Sequence, residues 1–358
     1  MLVHICCSVD SFYYMQKLQE DYPQEKLTGF FYDPNIHPYS EYYLRMIDAK
    51  RSCEKLGFDF VEGEYDVEGW LEAVRGLEME PEKGKRCKVC FDNRLETSAK
   101  QAHKMGEKMV TTTLLMSPLK DLEQLKAASA DMEKEYDLEF ITPDYRKGGG
   151  TQAQMAMSKE NQAYHQNYCG CLFGLNPQRE HQQRLASELF TPIGNTIIPG
   201  SIESRVKLYE KRMLLEEEGK SYHILKENIQ CYRLLGEKVV QQGEVLASFS
   251  LPFSILKPKV AKGRVAFNLS GIHFFNRNNI RLIDIAMFNQ LSQSSFTNVK
   301  ELIFSDIAYD RLLDVRRAII DNSYDTTPII VLDKVDTQSM KISINSKIYE
   351  DQAEVLLV

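Results

Sequence analysis

The chain has 358 residues, 43% of them hydrophobic and 27% charged, the balance of a globular protein with room for two domains. A net charge of −7 and a pI near 5.7 do not announce a nucleic-acid-binding module, and no run of 18 apolar residues suggests a membrane span. MLVHICCSVD lacks the basic segment and clean apolar core of a signal peptide, so it reads as a first strand and a cytoplasmic location is the expectation.

The first 145 residues alternate between strand-like and helix-like stretches. LVHICC reads as a buried strand, followed by a helix from about Asp10 to Glu20. LTGFFYD is a second strand, SEYYLRMIDAKRSCEKLG a second helix and FDFVEGEYD a third strand. FDNRLETSAKQAHKMG is a helix after RCKVC. MVTTTLLM is a β-branched strand, SPLKDLEQLKAASADMEKEY a helix capped by Ser117 with Pro118 just inside, and LEFITPDY the last strand. Such alternation predicts an α/β fold with a parallel sheet covered on both faces. Ligands in such sheets sit beyond the carboxyl ends of the strands, where Cys6-Cys7, DPNIHP, Thr112, Thr113, Ser117 and DYRKGGG all fall.

GGGTQAQ at 148–154 reads as a flexible turn, and SKENQAYHQNYCGCLFG as a helix running into a cysteine pair. A catalytic domain is expected over 1–176, a helical extension over 177–236 and a small mixed α+β accessory domain over 237–358. Val206, Tyr209 and Met213 stand at helical spacing, and the whole of 201–236 reads as helical, with a turn at Gly219. EVLASFSL, GRVAFNLS, KISINSKIY and EVLLV are strand-like, with helices between them and no chemical motif.

Six of the eight cysteines come in three tight pairs, which in an intracellular chain suggests metal ligation or redox chemistry rather than a disulfide framework. Cys6 and Cys7 converge only if the backbone turns at the strand's end. Cys87-Lys-Val-Cys90 is a C-x-x-C at a helix start, where the helix dipole, Arg86 and Lys88 lower thiol pKa. Together these four thiolates fit an iron–sulfur cluster or a zinc ion by count, and the absence of a second C-x-x-C knuckle tilts the balance toward the cluster. Cys169-Gly-Cys171 reads as a redox-cycling dithiol, because a disulfide across one residue is strained and Gly170 tolerates the angles, with extra metal ligands or two buried thiols as the alternatives. Asp10 is either a helix N-cap or a carboxylate ligand to a further iron. Asn35, His37, Glu41 and Arg45 read as the lining of a ligand pocket, with a satisfied loop histidine an equal alternative for His37, and Arg146 and Lys147 as a clamp for a phosphate or carboxylate or, more ordinarily, a solvated turn. Cys53 and Cys231 read as core cysteines. Residues 83–108 carry eight Lys or Arg against three acids, which suits phosphates or an ion-paired helix face equally.

LVHICCSVDS, FYDPNIHPYSEYYLR, RCKVCFDNRL, TTTLLMSP and DYRKGGGTQAQMAMSKENQAYHQNYCGC, in that order over about residues 1–175, resemble the cobalamin-independent epoxyqueuosine reductase family called QueH. The resemblance implies a three-layer α/β sandwich of the nucleotide-hydrolase, PP-loop-like kind, in which CCSVDS looks like an SGGxDS phosphate loop with its glycines exchanged for metal ligands. It implies reduction of epoxyqueuosine to queuosine at the wobble position of tRNA. By the same resemblance Cys6, Cys7, Cys87 and Cys90 look like ligands of a [4Fe–4S] cluster and Cys169 and Cys171 like the redox pair; at Asp10, read above as a cap or a ligand to an additional iron, the chain departs from the many members that carry a third cysteine there. Asp10 or His37 would deliver a proton to the departing oxygen. The partners implied are the tRNA anticodon stem-loop and an electron donor. The rival readings are a zinc-stabilised RNA-binding or scaffold protein and a tRNA thiolation enzyme, the latter opposed by the missing glycines.

Overall fold

The computed structural model describes residues 1–117, 122–190, 194–322 and 325–358. The chain divides into two compact units, one of residues 1–189, 205–224 and 356–358, the other of residues 190–204 and 225–355. The stretch 177–236 is therefore shared between them. Among the described residues no helix is long and apolar enough to cross a membrane.

The first unit runs β1 (Leu2–Ile5), α1 (Ser8–Asp21), β2 (Thr28–Phe31), α2 (Tyr39–Leu56), β3 (Asp59–Glu62), α3 (Val67–Ala73), α4 (Lys85–Met105), β4 (Met109–Thr112), α5 (Leu122–Tyr136), β5 (Glu139–Phe140), α6 (Gly150–Glu160), α7 (Leu172–His181) and α8 (Ile202–Glu217). The expected start at Pro118 lies outside the described residues. The strands form one parallel sheet in the order β3-β2-β1-β4-β5. Every residue of β1 and β2 is buried, as interior parallel strands require. Leu2, Phe30 and Val110 pack with Leu95 and Ala99 of α4 and Ala128 of α5. On the opposite face α2 lies so close that a Cβ on Gly29 would stand 2.6 Å from Cys53 Sγ, so only glycine fits. The strand order reverses between β1 and β4, and the crevice at such a switch point is where α/β sheets bind ligands.

Several sequence expectations are corrected here. MVTTTLLM is strand only to Thr112; Thr113–Met116 is a 3-10 turn. The glycine run is a turn only at its first two residues, because α6 begins at Gly150. The stretch to the last cysteine pair is not one helix: α6 ends at Glu160 and residues 161–170 form a loop. Residues 201–236 are not helical throughout, since β6 starts at His223. HILKENIQCYRLL satisfies helical spacing locally, but its backbone pairs in a sheet instead, a tertiary override of pattern.

The second unit holds β6 (His223–Gln241), β7 (Glu244–Leu246), β8 (Ser248–Ser250), β9 (Val260–Gly263), β10 (Val265–Leu269), β11 (Ile272–Phe275), β12 (Arg281–Asp284), α9 (Ile285–Ser292), α10 (Val299–Phe304), α11 (Tyr309–Ile319), β13 (Ile329–Leu332) and β14 (Met340–Leu357). One sheet has the order β10-β11-β12-β13-β8 and the other β7-β6-β14-β9. KISINSKIY and EVLLV, expected as separate strands, are one continuous strand, β14. Leu251, Ile283, Phe288, Val299, Val315 and Val331 make a core beneath α9–α11.

Candidate active site

Cys6 and Cys7 occupy the turn between β1 and α1, where the backbone change brings both sulfurs together. Their Sγ atoms lie 3.8 Å apart, and Cys6 Sγ is 3.6 Å from Asp10 Oδ2. The ligand atoms of Cys6, Cys7 and Asp10 all fall within 4.8 Å of one another, the one metal-capable group found among the described residues. Thr113, from the 3-10 turn after β4, fixes Cys6: its hydroxyl accepts from the Cys6 N–H at 3.2 Å and faces Cys6 Sγ at 3.5 Å. Asp10 is not the N-cap. Cys7 holds that position, and Asp10 lies in the first turn, where the helix dipole favours its charge. The Gln154 amide of α6 donates to Asp10 Oδ1 and to the Val9 carbonyl. The Cys7 thiol is pushed well up by its hydrogen bond with Cys6, by burial and by the Asp10 charge.

Cys87 and Cys90 stand in the first two turns of α4. Cys87 Sγ accepts from the Lys83 N–H at 3.3 Å. Cys90 is buried against Trp70, Val74 and Cys171. Neither belongs to the group formed by Cys6, Cys7 and Asp10. Arg94, one turn beyond Cys90, pairs with the buried Asp33. Burial opposes the Arg94 charge, but Asp33, Cys90 and Cys6 outweigh it and raise its pKa. Part of the basic segment is engaged locally: Lys88 meets Asp92, Lys100 meets Glu96, and Arg86 donates to the carbonyls of Leu77, Glu78 and Glu80.

Cys169, Gly170 and Cys171 form a loop clamped from α2. Arg45 donates to the carbonyls of Tyr168 and Cys169, and is itself held by Glu41, which also accepts from the Tyr164 hydroxyl at 2.8 Å. The His37 N–H donates to the Gly170 carbonyl at 2.9 Å. Gly170 has φ +99, and a Cβ there would stand 2.8 Å from Ile36 Cγ1. Cys169 and Cys171 are not joined by a disulfide, and the Cys171 N–H points at Cys169 Sγ, 3.4 Å away. Cys171 is pushed up by its hydrogen bond to Cys169, then by burial. Burial lowers the His37 pKa, which favours the neutral ring.

A cavity of ≈ 450 Å³ joins these parts. Cys6, Asp10 and Arg94 line it together with Arg45, Tyr168 and Cys169, and Asp33, Glu82, Lys83, Gln166, Asn167, Gln178 and Gln182 complete much of the wall. Of Asn35, His37, Glu41 and Arg45, only Arg45 reaches it. Arg146 and Lys147 both turn to Asp144, at 3.5 and 3.4 Å. Cys53 is a core thiol, pushed up to about 12 by burial, and Cys231 is buried in the second unit.

The family model described as epoxyqueuosine reductase QueH matches residues 1–177. The protein named epoxyqueuosine reductase QueH from Helicobacter pylori is 37% identical over 374 aligned positions, covering 100% of both chains. This chain belongs to the QueH family. The QueH of Thermotoga maritima is 34% identical over 189 positions, covering 52% of this chain and 95% of its own. Among solved structures, the U34-tRNA thiolase NcsA from Methanococcus maripaludis with its [4Fe-4S] cluster is 15% identical, with a TM-score of 0.33 over 60% of this chain and 73% of that one. A likeness of that size bears on no chemistry. In this QueH chain, sequence reasoning missed Gln154, Asp33 and Arg94. The signal for Arg94 was its position four residues after Cys90, one turn along the same helix face. The glutamines on the cavity wall left no such signal.

Proposed function

We propose that this QueH chain reduces epoxyqueuosine at the wobble position of tRNA to queuosine, with residues 1–176 carrying the chemistry on a three-layer, PP-loop-like scaffold. The observation that carries the proposal is the single cavity that Cys6 and Asp10 share with Cys169. Two soft sulfurs and a carboxylate within 4.8 Å are a donor set that suits iron. Cys6, Cys7, Cys87 and Cys90 would hold a [4Fe–4S] cluster, and Asp10 an additional iron. When bound, these groups supply single electrons and a Lewis acid for the epoxide oxygen.

The remaining chemistry belongs to the chain's own side chains. Both C–O bonds of the epoxide break and an alkene forms. Cys169 and Cys171 give two electrons and two protons, the oxygen leaves as water, and the two sulfurs close to a disulfide that an external electron donor reopens. Where Asp10 holds no iron, it would relay a proton from the cysteine pair to the departing oxygen, while His37 steadies the cysteine loop through its backbone. Arg94, although paired with Asp33, and Lys83 face the cavity with donors for the oxygen as it gains negative character. The wobble nucleoside must be splayed out to enter.

The test is anaerobic purification followed by metal analysis and incubation with epoxyqueuosine-containing tRNA and dithionite. The expected result is a brown protein with about four irons and four sulfides per chain, or more iron if Asp10 binds it, and nucleoside mass spectra showing queuosine. A colourless protein holding about one zinc after reconstitution, with no conversion, overturns the reading.

A further inference from the structure

The second unit carries an unusual surface. From Val245 to Ile283 this acidic chain has no Asp or Glu, yet it has six cations: Lys257, Lys259, Lys262, Arg264, Arg277 and Arg281. All but Arg281 are exposed, and none makes an ion pair among the described residues. This contrasts with α4, where Lys88, Lys100 and Arg86 engage neighbouring acids and carbonyls.

Within this stretch, strand register builds a row. Phe267 of β10 pairs with Phe274 of β11, and Phe274 pairs with Arg281 of β12. Directly paired residues share a face. The Phe267 and Phe274 rings stack with centroids 4.4 Å apart, and the Arg281 guanidinium lies 4.2 Å from the Phe274 centroid. Phe267 remains 55% exposed at the edge of the sheet. The acid whose charge Arg281 feels, Asp325, is engaged by Arg316 at 3.4 Å. At its other end the row meets a cavity of ≈ 570 Å³: Arg281 donates to the Asn279 carbonyl at 2.7 Å, and Asn279 lines that cavity with Lys257, Thr326 and Thr327.

A row in which half-buried Phe274 is packed by Phe267 and the Arg281 guanidinium, exposed at its Phe267 end and flanked by unpaired cations, suits unpaired nucleotides. Base faces stack on rings of any sequence, and free cations meet the phosphates. The adjoining amide and hydroxyl groups offer partners for a base edge. An exposed apolar surface for a protein partner would lack the need for such charge. We propose that the face formed by Phe267, Phe274 and Arg281 is a base-stacking surface that binds an unpaired segment of the tRNA. The identity of the RNA as tRNA rests on the reductase reading; the stacking surface itself does not.

The experiment measures binding of an unmodified tRNA transcript and of oligouridine to the full chain by fluorescence anisotropy. The Phe267→Ala/Phe274→Ala variant is expected to bind both about 10- to 100-fold more weakly, and the Phe267→Tyr/Phe274→Tyr variant to bind within about twofold of wild type. Lys262→Ala/Arg264→Ala should lower the slope of log affinity against log salt by about 1.4. If the double alanine variant unfolds, Phe267→Ala alone should still cost about tenfold. Wild-type affinity in the alanine variants overturns the proposal, as does a change in sedimentation with RNA affinity unchanged, which would assign the face to a second copy of the chain. Absence of epoxyqueuosine reduction by wild type, with the stacking losses still seen, would remove the reductase reading and leave this surface standing.

Discussion

Arg45 grips the cysteine loop by its backbone: Nη1 donates to the Cys169 carbonyl at 3.2 Å, and its sister nitrogen to the Tyr168 carbonyl at 3.0 Å. The planar fork of one guanidinium thus sets the path of Tyr168-Cys169-Gly170 against α2, and lysine cannot reproduce two parallel bonds. Gly170 is forced by the same closeness. Gly170→Ala places a Cβ 2.8 Å from Ile36 Cγ1 at a φ of +99, a strain of about 1–3 kcal/mol. The expected outcome is a lower urea midpoint together with reduced turnover. An alanine variant with wild-type values of both would show the loop to be more tolerant than its contacts indicate.

Cys169→Ser and Cys171→Ser are each expected to abolish conversion of epoxyqueuosine while leaving iron content and folding intact. Serine keeps the volume and hydrogen-bonding reach but cannot form a disulfide. The check is nucleoside mass spectrometry beside iron analysis on the same preparation. Turnover surviving in either variant would move the reducing electrons elsewhere.

Gln154 orients Asp10 from α6, itself buried. Partners that orient a ligand commonly contribute about 10–100-fold in metal affinity or activity. Gln154→Ala should therefore lose activity by about that factor, with a matching loss of any iron beyond four per chain. Full activity would mean that Asp10 is held by Cys6 and the helix terminus alone.

Asp48 is fully buried in α2 and meets Arg212 of α8 at 2.6 Å, Arg51 at 3.6 Å, the Tyr164 N–H at 2.7 Å and the Ser8 hydroxyl. Removing one side of such a pair strands a buried charge. Arg212→Ala should destabilise the first unit by about 3–5 kcal/mol in urea unfolding, whereas Arg212→Met/Asp48→Leu should cost much less. Equal losses for the two variants would show that volume, not charge, decides the site.

Acid should unfold the first unit through the same network. Burial alone would raise the Asp48 carboxyl, but Arg212 and Arg51 outweigh it and hold its pKa below the usual range. Glu216 is likewise held down: burial is outweighed by its bonds from Arg51, Tyr222 and Lys55. The folded chain then binds fewer protons than the unfolded chain, so this stability is present above the ordinary carboxylate pKa of about 4 and is lost as pH falls through the depressed folded values. Urea midpoints measured from pH 7 to pH 3 should fall on the acid side, and Glu216→Gln should flatten that fall. An acid limb unchanged in Glu216→Gln would exclude this carboxylate as a source.

The alternation of LVHI, TGFF, DFVE and MVTT with amphipathic stretches was enough to predict the parallel sheet, because hydrophobic periodicity is a local property of the chain. The Cys6-Cys7 turn, the Cys87–Cys90 helix start and the core role of Cys53 were legible for the same reason. Where local pattern competed with distant pairing, the sequence misled: HILKENIQCYRLL carries helical spacing, but β6 is decided by strands far along the chain, including the β14 partner beside it. Only the tertiary structure placed Gln154 on Asp10, Arg94 between Asp33 and the thiols, and Cys169 on the same cavity as Cys6. Those relations depend on helices from separate parts of the chain closing over one sheet edge, and no spacing rule encodes such a juxtaposition. The row of Phe267, Phe274 and Arg281 shows the same physics: three scattered residues become one surface only when strand register aligns them.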